Sequence, residues 1–472
     1  MNFFFSYFIF TLLILTNLLT NPIRAQLVQN SRTAIVDFSK QTGPPQHLAS
    51  GTLYGVPDSV NQIPARFFND ICWNTLRVGG SQTEAKGWIG GPVEYAKRFA
   101  TVQANYAVTK AHGGTFILIL AALWGADGTQ PSNTSYPGDE GKWDEWHRFV
   151  SRVLHDLKTN GMTENLILDL WNEPDYGTVF WNRTQAQYLE MWRRADQIMV
   201  HLPSHWSKAV PISGPSSATE PLESNKWWQT WAEFVVQKKC VPDQYSWHME
   251  SGGSDLQTST KGLRALRREY GLPKRPININ EYATFDEQVP ASSAWWISQL
   301  ERVDAHGVRG NWLSGYQLHD FLASLLSKPG NPDNGNYRPN AAGYFPNGDY
   351  QVYKFYCQQM TGHRVHTKPS LDLKLDVYAT VGTHSAIALV GVRATTGTWF
   401  LNLDNLSALG LPTSGTVNIR TWAFPVPSSV HYGRVDGPKN LGLLAHHYTH
   451  DSVSFPVFQT DKTTAYAFEF SI

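Results

Sequence analysis

The chain has 472 residues, 42% of them hydrophobic, and its 39 Lys plus Arg balance 39 Asp plus Glu. A chain of this length fits two or three domains, or one large domain with an appendage. The even charge, with no basic stripe, leaves no electrostatic footprint for nucleic-acid binding, and three cysteines are too few for a disulfide scaffold.

In chain order the first segment is "MNFFFSYFIFTLLILTNLLTNPIRAQ", an apolar core over residues 3–19, a polar break, then Ala25. Residues 1–25 are expected to be a secretory signal peptide, although the usual Lys or Arg at its start is missing. The apolar core is also long enough for an uncleaved anchor; after cleavage no membrane contact is expected. Sequons at Asn133, Asn182 and Asn405 fit a secreted glycoprotein. Residues 26–45 form an N-terminal segment in which "RTAIVDFS" alternates with period two, and it is expected to pair with the β module at the far end of the chain.

Across residues 46–360, eight strand-like runs alternate with amphipathic helical stretches such as "WDEWHRFVSRVLHDLKT" and "SAWWISQLERVDAHG". The runs are "ASGTLYGV", "NTLRVGG", "GTFILILAALWG", "NLILDLWNEPD", "VPISGPS", "QYSWHME", "PININEYA" and "RGNWLSG". Eight strand–helix repeats predict an α/β fold of the closed (β/α)8 TIM-barrel type. An open doubly wound sheet is the rival, but no Gly-rich phosphate fingerprint follows the first strand. Residues 361–472 change to period-two runs separated by Gly, Pro, Asn and Asp, which predicts a C-terminal all-β sandwich. The 18 Trp residues either fill a large core or offer stacking platforms for sugar rings. Cys72, Cys240 and Cys357 allow one disulfide at most, and Cys72, within "NDICWNTLRV", is expected to be buried and inert.

Active sites of such barrels lie at the C-terminal ends of the strands. The fourth run ends in Asn172 and Glu173, where Pro174 stops the ladder, and the seventh ends in Asn280, Glu281 and Tyr282. Glu173 and Glu281 are 108 residues apart, three strand–helix units of about 36 each, which faces them across one barrel mouth. Two opposed carboxylates are the minimal machinery for hydrolysing a glycosidic bond.

"WNEPD" on the fourth strand and "NEYA" on the seventh resemble glycoside hydrolase clan A, and family 39 in particular. The likeness covers the barrel and its trailing β module. It implies that Glu173 is the acid/base, that Glu281 is the nucleophile, and that Asn172 holds the 2-hydroxyl of the substrate. Arg77 on the second strand would keep Glu281 ionised, and desolvation beside Trp171 or Trp181 would keep Glu173 protonated. His248 stands where the family carries a His near the catalytic pair, and Glu250, two residues on, is a candidate third carboxylate. Trp312 resembles the clan's sugar platform, Trp124 is a further candidate wall, and Tyr282 completes the substrate-binding set.

Two stretches imitate other sites. "HHYTHD" (His446, His447, His450 and Asp451) has metal-like spacing but lies in the β module, and a solvated loop is expected there. "SGGSDLQTSTKG" lacks the spacing of a phosphate loop. No metal and no cofactor are expected; the partner is a carbohydrate substrate, and the oligomeric state stays open. The leading reading is a secreted retaining glycoside hydrolase. Its rivals are a catalytically lapsed carbohydrate-binding barrel, which would be expected to have lost one Glu, and a metal-dependent barrel hydrolase, for which a His pair at the strand ends is missing. The resemblance admits β-xylosidase, α-L-iduronidase and endo-acting enzymes. Long loops at 126–142 and 315–349 suit either a pocket or a groove.

Overall fold

The computed structural model describes residues 31–200, 210–313, 315–329, 342–427 and 432–472; the expected signal peptide lies outside the described residues. The chain enters on β1 (Thr33–Gly43) and then builds a closed barrel. Its strands are β2 (Gly51–Leu53), β3 (Thr75–Val78), β4 (Thr115–Ile119), β5 (Leu166–Asp169), β6 (Ile212–Ser217), β7 (Gln244–Met249), β8 (Ile277–Tyr282) and β9 (Ala305–Arg309). Every neighbouring pair is parallel, and β9 closes the ring on β2 through Gly51 opposite Val308.

The eighth barrel strand is therefore "AHGVR" rather than the expected "RGNWLSG". The preceding helix ends in a left-handed residue, Asp304, so the chain turns into the strand at once. His306 and Gly307 hide this short run from an apolar count.

Helices cover the barrel: α1 (Arg66–Asn69), α2 (Pro92–Ala111), the short α3 (Leu120–Trp124), α4 (Asp144–Thr159), α5 (Gln185–Val200), α6 (Lys226–Gln237), α7 (Leu256–Tyr270), α8 (Pro290–Val303) and α9 (Gly348–Gln358). They form for local reasons. In α4, Trp146, Phe149, Val150, Val153, Leu154 and Leu157 recur at three and four and are all buried. Asp255 caps α7 by accepting from the Thr258 N–H at 3.0 Å, and Gly271 ends it at φ +75°. Ten of the indoles are fully buried, so Trp serves chiefly as filling between barrel and helices. Gly214 on β6 shows how tight that layer is: a Cβ there would stand 2.1 Å from the ring of Trp192.

After a small hairpin, β10 (Leu326–Ser327) with β11 (Phe345–Pro346), and α9, the chain forms a nine-stranded, mostly antiparallel sheet. Its strands are β12 (His363–Lys368), β13 (Leu375–Val381), β14 (Ser385–Val392), β15 (Gly397–Asp404), β16 (Gly415–Phe424), β17 (Lys439–Tyr448), β18 (Ser452–Gln459) and β19 (Ala465–Ser471). The spatial order is β17-β16-β19-β14-β13-β12-β1-β15-β18. β1 is inserted antiparallel to β12 and parallel to β15, which ties residues before the barrel to those after it. A turn joins the two outermost strands, β17 and β18, so the sheet folds over a core that includes Val36, Val377, Leu401 and Phe455. This is the barrel with a β-sandwich domain that the alternating runs predict. Helix α8 packs against β13 and β14 as well as the barrel, and accordingly Pro290 to Glu301 are all buried, polar residues included.

Two expectations require correction. Cys72 is half-buried and bonded to Cys357, with the Cα atoms 5.5 Å apart, so it is not an inert thiol; Cys240 is the free, buried one. "HHYTHD" is not a loop throughout: His446, His447 and Tyr448 are the last residues of β17, with the His446 ring tilted against Phe455, and only His450 and Asp451 lie in the turn.

Candidate active site

At the C-terminal ends of the barrel strands lies a cavity of about 580 Å³ lined by Asn172, Glu173, His248, Glu250, Glu281 and Trp312, with Tyr176 and Phe180 at its side. A larger cleft of about 1260 Å³ separates α7 from the sandwich, where Lys261, Arg264 and Lys368 line it. It shares no lining residue with the cavity at the strand ends, and its acid, Asp255, is spent on capping α7. The smaller cavity is the candidate site.

Its base is a buried polar network. Asp169, the last residue of β5, accepts from Arg77 Nε at 2.8 Å, from Ser216 Oγ at 2.8 Å and from Asn280 Nδ2 at 3.1 Å. With that anchor, the fully buried guanidinium of Arg77 is aimed upward. It donates to Glu281 Oε1 at 2.5 Å and to Asn172 Oδ1 at 2.7 Å. Burial works against the Arg77 charge, but Asp169 and Glu281 outweigh it and hold the group above its usual range. The second contact orients the Asn172 amide: its oxygen is taken, which leaves the Nδ2 donors for a ligand.

Glu173 follows β5 at φ +41°, a left-handed conformation costly for a non-glycine residue, and its N–H donates to the Ser216 carbonyl at 2.9 Å. Its Oε1 lies 2.7 Å from His248 Nδ1. Burial pushes the Glu173 carboxyl up to about 7, against a lowering pull from Arg77. Burial also pushes His248 down to about 4, with Glu281 opposing, so the imidazole is neutral at neutral pH. Its Nε2 stands 3.6 Å from Glu281 Oε1 and has no hydrogen-bond partner.

One carboxylate oxygen each of Glu173 and Glu281 and a ring nitrogen of His248 all lie within 4.8 Å of one another. These atoms are of metal-binding type. However, a guanidinium already supplies the positive charge at Glu281, and the Glu173–His248 contact is a proton-sharing pair, so the donor set suits proton transfer.

Trp312 lies three residues beyond β9, 44% exposed, with its Nε1 donating to the Ala283 carbonyl at 3.0 Å, which presents a fixed ring face to the cavity. Two expected wall residues are elsewhere. Tyr282 points out of the barrel, its hydroxyl donating to the Ala49 carbonyl at 2.8 Å and lying 2.7 Å from that of Tyr353, because the ladder to β7 skips Asn280, and this bulge turns both Asn280 and Glu281 inward. Trp124 is buried against Trp146 and Phe149, because β4 ends at Ile119 and the apolar run continues as α3. Trp171 and Trp181 likewise pack on each other in this aromatic layer. Asp169, Ser216, Tyr176 and Phe180 were not singled out from the sequence as site residues. Only Asp169 carried a signal, as the lone charge in an apolar strand. Of the sequons, Asn133 is exposed and Asn182 half-buried, while the Asn405 amide donates to Asp37 at 2.7 Å. Among the described residues no helix is long and apolar enough to cross a membrane.

No protein-family model matches the chain. It is 22% identical over 330 residues to a 3-O-β-L-arabinopyranosyl-α-L-arabinofuranosidase of Bifidobacterium pseudocatenulatum, a match covering 63% of this chain and 33% of that protein. The matched part thus spans a third of that relative's length. A solved structure from Neocallimastix frontalis superposes with a TM-score of 0.70 at 21% identity, over 93% of this chain and 98% of that one. The family 39 glycoside hydrolase of Xanthomonas axonopodis pv. citri gives 0.56 at 14%, over 93% and 97%. Glycoside hydrolases of families 30, 39 and 44 all occur among the structural neighbours, so the likeness shows the fold they share and does not single out family 39.

Proposed function

We propose that the protein is a secreted retaining glycoside hydrolase, most akin to family 39, which cleaves a glycosidic bond by double displacement. One observation carries this reading: two carboxyl groups with oxygens within 4.8 Å, one paired to a buried Arg and the other raised by burial to about 7. Retaining enzymes place their carboxyls about 5–5.5 Å apart, whereas inverting ones leave roughly 6.5–9.5 Å for a water. The spacing therefore favours direct attack.

In the first step Glu281 attacks the anomeric carbon while Glu173, protonated, gives its proton to the departing oxygen. His248, neutral and bound to Glu173, fixes that carboxyl and can share its proton. In the second step Glu173 takes a proton from water, which displaces Glu281. Asn172 donates to a hydroxyl next to the anomeric carbon, and Trp312 stacks on an adjoining sugar ring. Both carboxyl groups are present and in place, which disfavours a lapsed carbohydrate-binding barrel.

The relative's name makes arabinofuranosides the first substrates to try, beside β-xylosides and polysaccharides. The Cys72–Cys357 bond and the exposed Asn133 sequon support an oxidising, secretory destination. Sequencing the N-terminus of protein recovered from the medium tests that part. The mechanism is tested by NMR of the earliest product: a β-linked substrate should release the β-anomer first, and first-formed α-anomer would refute retention.

A further inference from the structure

A third acidic side chain reaches the same cavity. Glu250 follows Met249, which pairs with Tyr282 across β7 and β8, and it lines the same cavity as Glu281, whose charge acts on it. Two carboxyls sharing one site disfavour double ionisation, and a hydrogen bond between them requires a proton on one. Glu281 is the one facing a guanidinium at 2.5 Å, which places the proton on Glu250. Burial raises Glu250 well above the carboxylate range, the charges of Glu281 and Glu173 add to this, and Arg77 opposes it. His248 on the same strand is neutral, and the segment from Gly310 to Trp312 on the other side brings no charge. Gly310 makes the room: a Cβ there would stand 2.0 Å from Glu250 Oε1.

We propose that Glu250 is a positioning residue for the nucleophile, an un-ionised acid whose O–H donates to Glu281 and steadies that carboxylate whenever it carries its charge. The proposal rests on the retaining reading. In the first step the Glu281 oxygen bonds the anomeric carbon, the bond to the leaving oxygen breaks, and the Glu173 proton goes to that oxygen. In the second, water bonds the anomeric carbon, its proton goes to Glu173, and the electron pair of the ester C–O bond returns to Glu281. Glu250 keeps its proton throughout. Its hydrogen bond weakens as Glu281 loses charge in the first step and strengthens as the charge returns in the second. Glu250 thus restrains formation of the glycosyl-enzyme and speeds its breakdown.

A purely structural role would slow both steps alike, and this separates the two. With an activated aryl glycoside, Glu250→Ala should lower kcat about ten- to hundredfold and KM in parallel, keeping kcat/KM within about threefold. Mass spectrometry should find the glycosyl-enzyme accumulating on Glu281. Glu250→Gln, whose amide N–H still donates, should retain most of kcat, and Gly310→Ala, which displaces the carboxyl, should resemble Glu250→Ala. Equal falls in kcat and kcat/KM without accumulation would overturn the proposal. A second measurement needs no turnover: above the titration of Glu173, the infrared carboxylic-acid band should lose intensity in Glu250→Gln and keep it in Glu173→Gln. An unchanged band in Glu250→Gln, with wild type still forming the glycosyl-enzyme, overturns this proposal alone. Wild type that never esterifies Glu281 while the Glu250 band is present overturns the hydrolase reading, and the role of Glu250 with it.

Discussion

Two arginines, both fully buried at barrel strands, differ in where their hydrogen bonds end. Arg309, on β9, pairs with Asp349 at 2.5 Å and donates to Ser293 and to the Ala323 carbonyl, all inside the protein. Arg77, on β3, also has a buried aspartate, but its remaining donors reach Glu281 and Asn172 at the cavity. A buried ion pair is weak evidence of purpose, since its Coulomb gain is offset by desolvation. The destination of the spare donors tells the two apart. Arg309 locks α8 and α9 to the barrel, and Arg77 carries a fixed positive charge to a place where a ligand can meet it.

That contrast can be broken by experiment, most forcefully at Glu281. Glu281→Gln should reduce turnover by about 10⁴-fold or more with the fold intact, because an amide cannot attack the anomeric carbon. Azide should restore turnover with inverted product. Retained activity would remove Glu281 from the mechanism. Glu173→Ala should cost roughly 10²–10⁴-fold on substrates with poor leaving groups and far less on activated aryl glycosides. Equal losses on both would exclude it as the acid.

The two arginines themselves should then separate. Arg309→Met strands Asp349 and should lower stability by about 3–5 kcal/mol in denaturant titrations, leaving the activity of the folded fraction near normal. Arg77→Met should lose activity at temperatures where the protein is still folded, and matching profiles for the two variants would dissolve the comparison.

A smaller effect follows from Glu173. Below its ordinary value of 4.5 both folded and unfolded states hold the proton, and between 4.5 and about 7 only the folded state does. Stability should therefore fall as pH rises through this window, by at most about 3 kcal/mol, and kcat/KM should fall above about 7. Glu173→Gln should flatten the stability slope; an unchanged slope would assign it to other groups. Smallest of all, Trp312→Ala should raise KM by about ten- to thirtyfold through the lost ring face, with little change in kcat.

The barrel was legible because its strands and helices carry different periods, and the two carboxyls that share its mouth because Asn172–Glu173 and Asn280–Glu281 put polar residues where apolar runs stop. The end of the eighth strand was not, since two of its five residues are His306 and Gly307. Tyr282 was misplaced because a bulge at Asn280, which turns two successive side chains inward, leaves no mark in the letters, and Trp124 because a run of apolar letters does not say where a strand becomes a helix. Ser216 and the partnership of Cys72 with Cys357 depend on contacts between distant parts of the chain, which no local pattern records.

That last bond joins the turn after α1 to α9, beside the seam where β2 meets β9, and Lys354 bridges to Asp70 at 2.8 Å in the same place. The first and last units of the barrel are thereby held in one covalent hoop, closed across a sequence separation of 285. A protease that cuts any loop within the hoop opens it without releasing a fragment. The severed ends remain tethered, and the eight strands keep their neighbours. Such damage would register as two bands on a reducing gel and one on a non-reducing gel, with the mouth of the barrel still assembled.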